Sequence, residues 1–448
     1  MLNKEFTVKA KVDRRVELVS IVARLAEYPE YQRDDFKSYA EDVDTYFGKY
    51  KKHPAIEFAK EVRRSNYVAF DAVQSMAVHL KSDLTPKFTF SDSSPDNRWG
   101  KANAEKFAVL LQKFCKDADC NKFFQNHSDL YKIAEQRFQK ILDKVDFEWY
   151  RKFYGEMPKG DFNLYTGLII GPMNFGPKVV YPDGREEINA IIGIYEMDEN
   201  DLPVYTDRFL PTIIHEFNHG FINHLVDERI ENFSQSGENV FQPVRERMGR
   251  SGYGIWKAMI IESLVRAGVA RYALDHEGGE TVGERINIEQ RGGFLWMDEL
   301  VALLGAYDNN RKTYPTLRSF MPMIEAYYAD LSKRIDEINE NYEKLRPKVI
   351  AIEEFENNSQ NVDAQLKQIT FVFDRPMDPA EYSIMRTAGQ DKYPVGDTVK
   401  FSEDGKKLEV AVSLEPDKEY EFVLTYGKFK SADGFALQDY FVKFKTKE

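Results

Sequence analysis

Between Pro211 and Val226 the chain reads Pro-Thr-Ile-Ile-His-Glu-Phe-Asn-His-Gly-Phe-Ile-Asn-His-Leu-Val, an apolar helical run broken by a histidine pair and a glutamate. Ile213, Ile214, Phe217, Phe221, Ile222, Leu225 and Val226 require burial on most sides, and Pro211 suits a first turn. Any fold must therefore put this helix in a core and also satisfy the polar groups it carries there. His215 and His219 are four residues apart, so their imidazoles point the same way. In an H-E-x-x-H they can share one tetrahedral Zn²⁺, with Glu216 one step round the helix as general base for a metal-activated water. The alternative is a pair of hydrogen-bonded core histidines with a structural carboxylate.

A catalytic zinc takes three protein ligands and keeps a fourth position open. A third histidine at the metzincin spacing is absent, because Ile222 stands where that pattern needs Gly and Leu225 where it needs His. His224 lies five residues past His219 and is expected at the surface or behind the ligands. Ala258 to Val265 is a second apolar helical run holding one carboxylate, Glu262, which is costly there unless paired or metal-bound. Glu262 is therefore the predicted third ligand; a salt bridge to Arg266 at i+4 is the competing explanation. Glu228, Glu231, Glu238 and Glu246 sit in polar sequence and read as solvated. Tyr253, flanked by glycines in Gly252-Tyr253-Gly254, is the first candidate to stabilise an oxyanion, or else an ordinary helix-start aromatic. Tyr272 and His276 are weaker candidates.

A zinc helix followed by a second helix with a glutamate ligand resembles the gluzincin metallopeptidases, of which thermolysin is the familiar member. That resemblance implies peptide hydrolysis at a His215, His219, Glu262 zinc site, with Glu216 taking a proton and returning it to the leaving amine. Gly254-Ile255-Trp256 through Glu262 to Ala267 also resembles a bacterial exported family known mainly as a domain of unknown function, over roughly residues 10 to 310. One departure stands out: thermolysin-like enzymes carry Asp four residues after the glutamate ligand, and here Arg266 holds that position. Another group, Asn223 or a backbone carbonyl, must then orient the imidazoles. Leu164 to Ile170, Val179 to Tyr181 and Ile188 to Tyr195 read as strands, with a turn at Pro182-Asp183-Gly184. In gluzincins an edge strand beside the cleft binds an extended substrate, and Gly171 to Gly176 is placed to border it.

The expected organisation is multidomain α+β. Residues 1–155 form a mostly helical region, with helices over Val16–Leu25, Phe36–Tyr50, Ile56–Leu80, Asn103–Phe124 and Leu130–Tyr154. Residues 156–346 form a zincin-like catalytic core with a small sheet. From Pro347 the hydrophobic period switches to two, and residues 347–448 are predicted as an all-β Ig-like sandwich with strands at Ile369–Phe373, Lys407–Val412, Glu419–Leu424 and Tyr440–Phe444. Phe373 to Asp378 and the final Phe444-Lys445-Thr446 resemble bacterial Ig-like modules of cell-surface proteins, which implies an exported protein. Met1 to Phe6 has no apolar core and does not read as a signal peptide.

A net charge of −12 argues against nucleic acid or an anionic membrane surface as main partner. No apolar run reaches about 18 residues, so no transmembrane segment is expected. The partner implied is a peptide or protein substrate. The rival function is a non-catalytic exported binding protein that keeps a structural zinc site. Cys115 and Cys120 can bridge if a helix breaks between them, or remain two free thiols.

Overall fold

The computed structural model describes residues 8–158 and 160–448, so the reading of Met1 to Phe6 lies outside the described residues. A two-residue strand β1 (Ala10–Lys11) opens the description and was not anticipated. Helices α1 (Arg14–Leu25), α2 (Lys37–Phe47), α3 (Pro54–Asn66), α4 (Asp71–His79), α5 (Lys101–Asp117), α6 (Cys120–Asn126), α7 (Ser128–Leu142) and α8 (Phe147–Tyr154) follow. Local chemistry sets their ends. The Asp13 carboxylate caps α1 through the Arg15 N–H, and Asp146 caps α8 through that of Trp149. The single helix expected over Ile56–Leu80 is two: Tyr67 turns left-handed at φ 57° to close α3, and Phe70 at φ 51° precedes α4. A break also separates α5 from α6, and Cys115 and Cys120 on either side of it are both free thiols.

The mixed sheet holds β2 (Asp161–Gly167), β3 (Asn174–Phe175), β4 (Lys178–Val180) and β5 (Glu186–Gly193) beside β1. Its order is β1-β2-β5-β3, with β4 also paired to β5. β1 and β2, and β2 and β5, run parallel, whereas β3 and β4 run antiparallel to β5. Gly184, at φ 84°, makes the turn between β4 and β5. β2 ends three residues earlier than expected. Leu168 to Ile170 are buried beyond it, and the Leu168 N–H donates to Glu17 at 2.8 Å.

Helices α9 (Leu210–Asp227), α10 (Ile230–Phe241), α11 (Arg245–Arg250), α12 (Trp256–His276), α13 (Gly279–Arg291), α14 (Met297–Asp308) and α15 (Leu317–Leu345) complete the helical part. α10 lies where the sequence reads as polar and solvated; it buries Phe233, Val240 and Phe241 while its glutamates stay outside the core. Then come β6 (Val349–Ile352), β7 (Gln368–Phe373), β8 (Ile384–Arg386), β9 (Val395–Phe401), β10 (Lys407–Val412), β11 (Glu419–Leu424) and β12 (Tyr440–Lys445). They form two antiparallel sheets, β6-β7-β10-β9 and β12-β11-β8. Ile369, Phe371 and Val410 from one sheet share a core with Phe422, Val442 and Phe444 from the other.

The chain divides into two compact units. The first takes the described residues up to Ile230 with Leu264–Tyr272 and Leu304–Pro322; the second takes Glu231–Ser263, Ala273–Leu303 and Met323–Glu448. The first holds α1 to α9 and the mixed sheet. The second holds α10, α11, α13 and the two all-β sheets, and α12 contributes residues to each. Among the described residues no helix is long and apolar enough to cross a membrane.

Candidate metal centre

Helix α9 is held where it is by its small and amide residues. Gly220 faces the sheet; a Cβ there would come within 2.5 Å of Phe162 on β2 and 2.6 Å of Ile188 on β5. Only a hydrogen atom fits, so α9 lies directly on the two parallel strands. Asn218, on another face, is fully buried. Its Oδ1 accepts from the Tyr154 hydroxyl at 2.9 Å and its Nδ2 donates to the Val265 carbonyl at 3.0 Å, tying α9 to α8 and to α12. Gly268 admits that approach, since a Cβ there would meet the Tyr154 hydroxyl at 2.8 Å and Asn218 at 2.9 Å.

On the half-buried face the two histidines converge. Their Nε2 atoms lie 3.2 Å apart, and the His219 Nδ1 pairs with the Asn223 Oδ1 at 2.9 Å. With Nδ1 donating to Asn223, the Nε2 lone pair of His219 is left to act as a ligand. His215 is held well below the usual histidine range, first by burial and then by its neighbours His219 and Arg266, which favours the unprotonated ring that a metal ligand needs. One ligand atom each from His215, His219 and Glu262 lies within 4.8 Å of the others. The Tyr253 hydroxyl donates to the Glu262 Oε2 at 3.1 Å.

The donor set fits zinc. Two nitrogens at about 2.05 Å from one tetrahedral ion would stand about 3.3 Å apart, close to the 3.2 Å seen between the imidazoles. Two imidazoles and one carboxylate are also the ligand types zinc accepts at an open site.

Glu216 is buried, and its carboxylate abuts the strip that leaves β3. A Cβ on Gly176 would lie 2.3 Å from the Glu216 Oε2. β3 itself ends the sheet order, an edge strand next to that carboxylate. Gly176 had been grouped with the cleft border, but its contact with Glu216 had no sequence signal, the two being forty residues apart.

Several secondary expectations change. Of the two placements expected for His224 the surface one is excluded, for it is buried with its Nε2 3.9 Å from Glu156. Tyr272 is a core residue packed on Trp149, and its hydroxyl accepts from the Asp146 N–H at 2.7 Å at the start of α8. His276 is exposed at the end of α12. Asn218 was missed because it occupies a free position of the motif; its signal was an amide in the middle of an apolar helix, which burial obliges to find partners.

Among solved structures, the S-layer protein rSbsC(31-844) is 17% identical over 48% of this chain and 33% of its own, with a TM-score of 0.18. Domains 1–6 of the surface layer protein SbsC are 15% identical over 57% of this chain and 35% of that one, and the N-terminal part of the bacterial S-layer protein SbsC is 17% identical over 57% and 61%, both at a TM-score of 0.18. The chain thus spans about a third of the first two. Likeness this slight does not establish a shared fold. None of the curated proteins matches. A family model described as "Domain of unknown function (DUF4932)" matches residues 8–327, and the chain belongs to that family.

Proposed function

We propose that this protein is a zinc-dependent peptidase of gluzincin type, with His215, His219 and Glu262 as ligands and Glu216 as general base. The observation that carries the reading is the meeting of the two Nε2 atoms, 3.2 Å apart, in one group with the Glu262 carboxylate. When bound, zinc supplies a Lewis acid for a carbonyl oxygen and makes water acidic near neutral pH. Asn223 fixes the His219 ring, and burial keeps His215 unprotonated. Glu216 takes the proton of the attacking water and delivers it to the leaving amine. β3 offers an edge along which an extended peptide can pair by strand addition, passing Gly176 and so the Glu216 carboxylate.

Tyr253 is assigned next to this chemistry. Its bond to Glu262 supports a role in holding that ligand, while an oxyanion role needs the hydroxyl to turn toward substrate. Tyr253→Phe separates the two: loss of zinc marks the first, and loss of turnover at full zinc marks the second. The exported location and the Ig-like character of residues 347–448 belong to the same proposal, supported by the two antiparallel sheets on one core.

The rival, a non-catalytic binding protein with a structural zinc, draws support from the burial of Glu216. Elemental analysis of the wild type, Glu262→Ala and Glu216→Gln, alongside hydrolysis of a peptide library, decides between them. The peptidase reading expects about one zinc in the wild type. It also expects a large loss of metal in Glu262→Ala, and full zinc without turnover in Glu216→Gln. A wild type that stays free of zinc after reconstitution overturns both readings. Zinc without hydrolysis of any library member leaves the structural one.

A further inference from the structure

The second unit contains a cavity of about 300 Å³ walled by arginines. Arg247 and Arg250 come from α11, Arg291 from the last position of α13, and Arg346 from just beyond α15; Tyr342 on α15 and Tyr426 complete the aromatic part of the wall. Four arginines face three carboxylates, Glu246 and Glu343 of the wall and Asp439 paired with Arg250, in a chain whose net charge is −12. The basic excess is thus local and runs against the charge of the whole protein.

The carboxylates present do not satisfy these guanidiniums. Glu343 is shared, pairing with both Arg247 and Arg346. Arg250 is paired with Asp439 at 2.7 Å and with Glu246. Arg291 donates to the Gly434 carbonyl at 3.0 Å and has no carboxylate partner among the described residues. Two buried groups of the wall, the Arg247 Nη1 and the Tyr342 hydroxyl, have no hydrogen-bond partner among the described residues. Native proteins leave few such groups, because each costs its full desolvation. Burial first, and then the Arg346 charge, favour loss of the Arg247 proton, against the attraction of Glu343. The Arg247 guanidinium stays charged regardless, and beside its pair with Glu343 it keeps Nη1 open to a further acceptor.

We propose that this cavity binds an oxyanion of the phosphate-monoester class. With Asp439 counted beside Glu246 and Glu343, one positive charge is in excess, and a tetrahedral oxyanion neutralises it. Its three terminal oxygens also offer acceptors to the Arg247 Nη1, the Tyr342 hydroxyl and Arg291 together. The volume exceeds that of a phosphate alone and leaves room for the small organic group carrying it. This site is separate from the histidine pair and does not depend on the peptidase reading.

Isothermal titration of the full chain at low salt tests it, with glycerol phosphate, inorganic phosphate and malonate as probes. Glycerol phosphate should saturate one site, at least tenfold more tightly than malonate. Tighter binding than inorganic phosphate marks an organic phosphate as the ligand, and equal binding marks free phosphate. Arg247→Gln should weaken binding at least tenfold and Tyr342→Phe severalfold, with Arg334→Gln, an arginine outside the cavity, as the unaffected control. Tyr342→Phe keeps the ring and serves if Arg247→Gln fails to fold. Glu262→Ala should bind like the wild type, which excludes phosphate held at the histidine pair. The proposal is overturned by an absence of saturable binding or by malonate binding as tightly as the phosphates. It is overturned equally by affinity that survives both cavity substitutions, or by binding lost in Glu262→Ala alone.

Discussion

A single hydrogen atom on Gly176 leaves the Glu216 carboxylate its place. Gly176→Ala would put a methyl 2.3 Å from the Glu216 Oε2, and the flexible carboxylate, not the strand, would give way. In the proposed peptidase Glu216 is the general base, and displacing such a group typically removes a hundredfold or more of rate. The expected result is full zinc content with hydrolysis reduced at least tenfold, read by elemental analysis and peptide turnover on one preparation. Glu17 carries a different prediction. It is fully buried, accepts from the Leu168 N–H at 2.8 Å and the Tyr39 hydroxyl at 2.9 Å, and burial pushes its carboxyl up to about 7 against those two bonds. The folded state therefore keeps the Glu17 proton to higher pH than the unfolded chain does. That contribution is whole below the ordinary glutamate range and is lost as pH rises through 7. Urea midpoints between pH 4 and 8 should show the wild type losing roughly 3 kcal/mol relative to Glu17→Gln across that window. Spacing alone made His215, Glu216 and His219 legible, and Asn223 followed as the next residue on the same face. Gly176 and Glu17 were silent because their partners are distant in sequence and an isolated residue does not advertise a tertiary neighbour.

Elements were legible where periodicity was strong. α9 extends one residue beyond the expected Pro211–Val226 at each end, since the apolar repeat and Pro211 bracket it. The predicted strands of the last hundred residues recur as β7, β10, β11 and β12. Failures came where a short or mixed signal was overruled. Tyr67 and Phe70 take positive φ without being glycine, so the break between α3 and α4 left no mark in the sequence. β8 has three residues and β1 two, too few for alternation to register. The seating of α9 on the sheet can be tested at Gly220. A methyl there collides with Phe162 and Ile188, and overpacking a tight contact costs about 1–3 kcal/mol. Gly220→Ala should therefore lower the unfolding free energy measured by denaturant titration by that amount, with the same helix content by circular dichroism before unfolding.

At the scale of the molecule, the change from helical spacing to alternation after Pro347 coincides with the start of the strands β6 to β12. Their core draws on residues beyond 347, from Val362 to Phe444. The division into units was less legible, because the second unit takes segments on both sides of Leu264–Tyr272, and helical runs in sequence carry no sign of which core they join. The same indifference to sequence order shows in the sheet. Ala10 pairs with Leu164 and Lys11 with Tyr165, with α1 to α8 between the partners. Closing so long a loop loses chain entropy before any contact repays it, whereas β4 and β5 meet across one turn. The sheet should therefore nucleate from its β5 side, with β1 docking late. On the ribosome that first strand emerges long before its partner, and eight helices must be made before it has an edge to join.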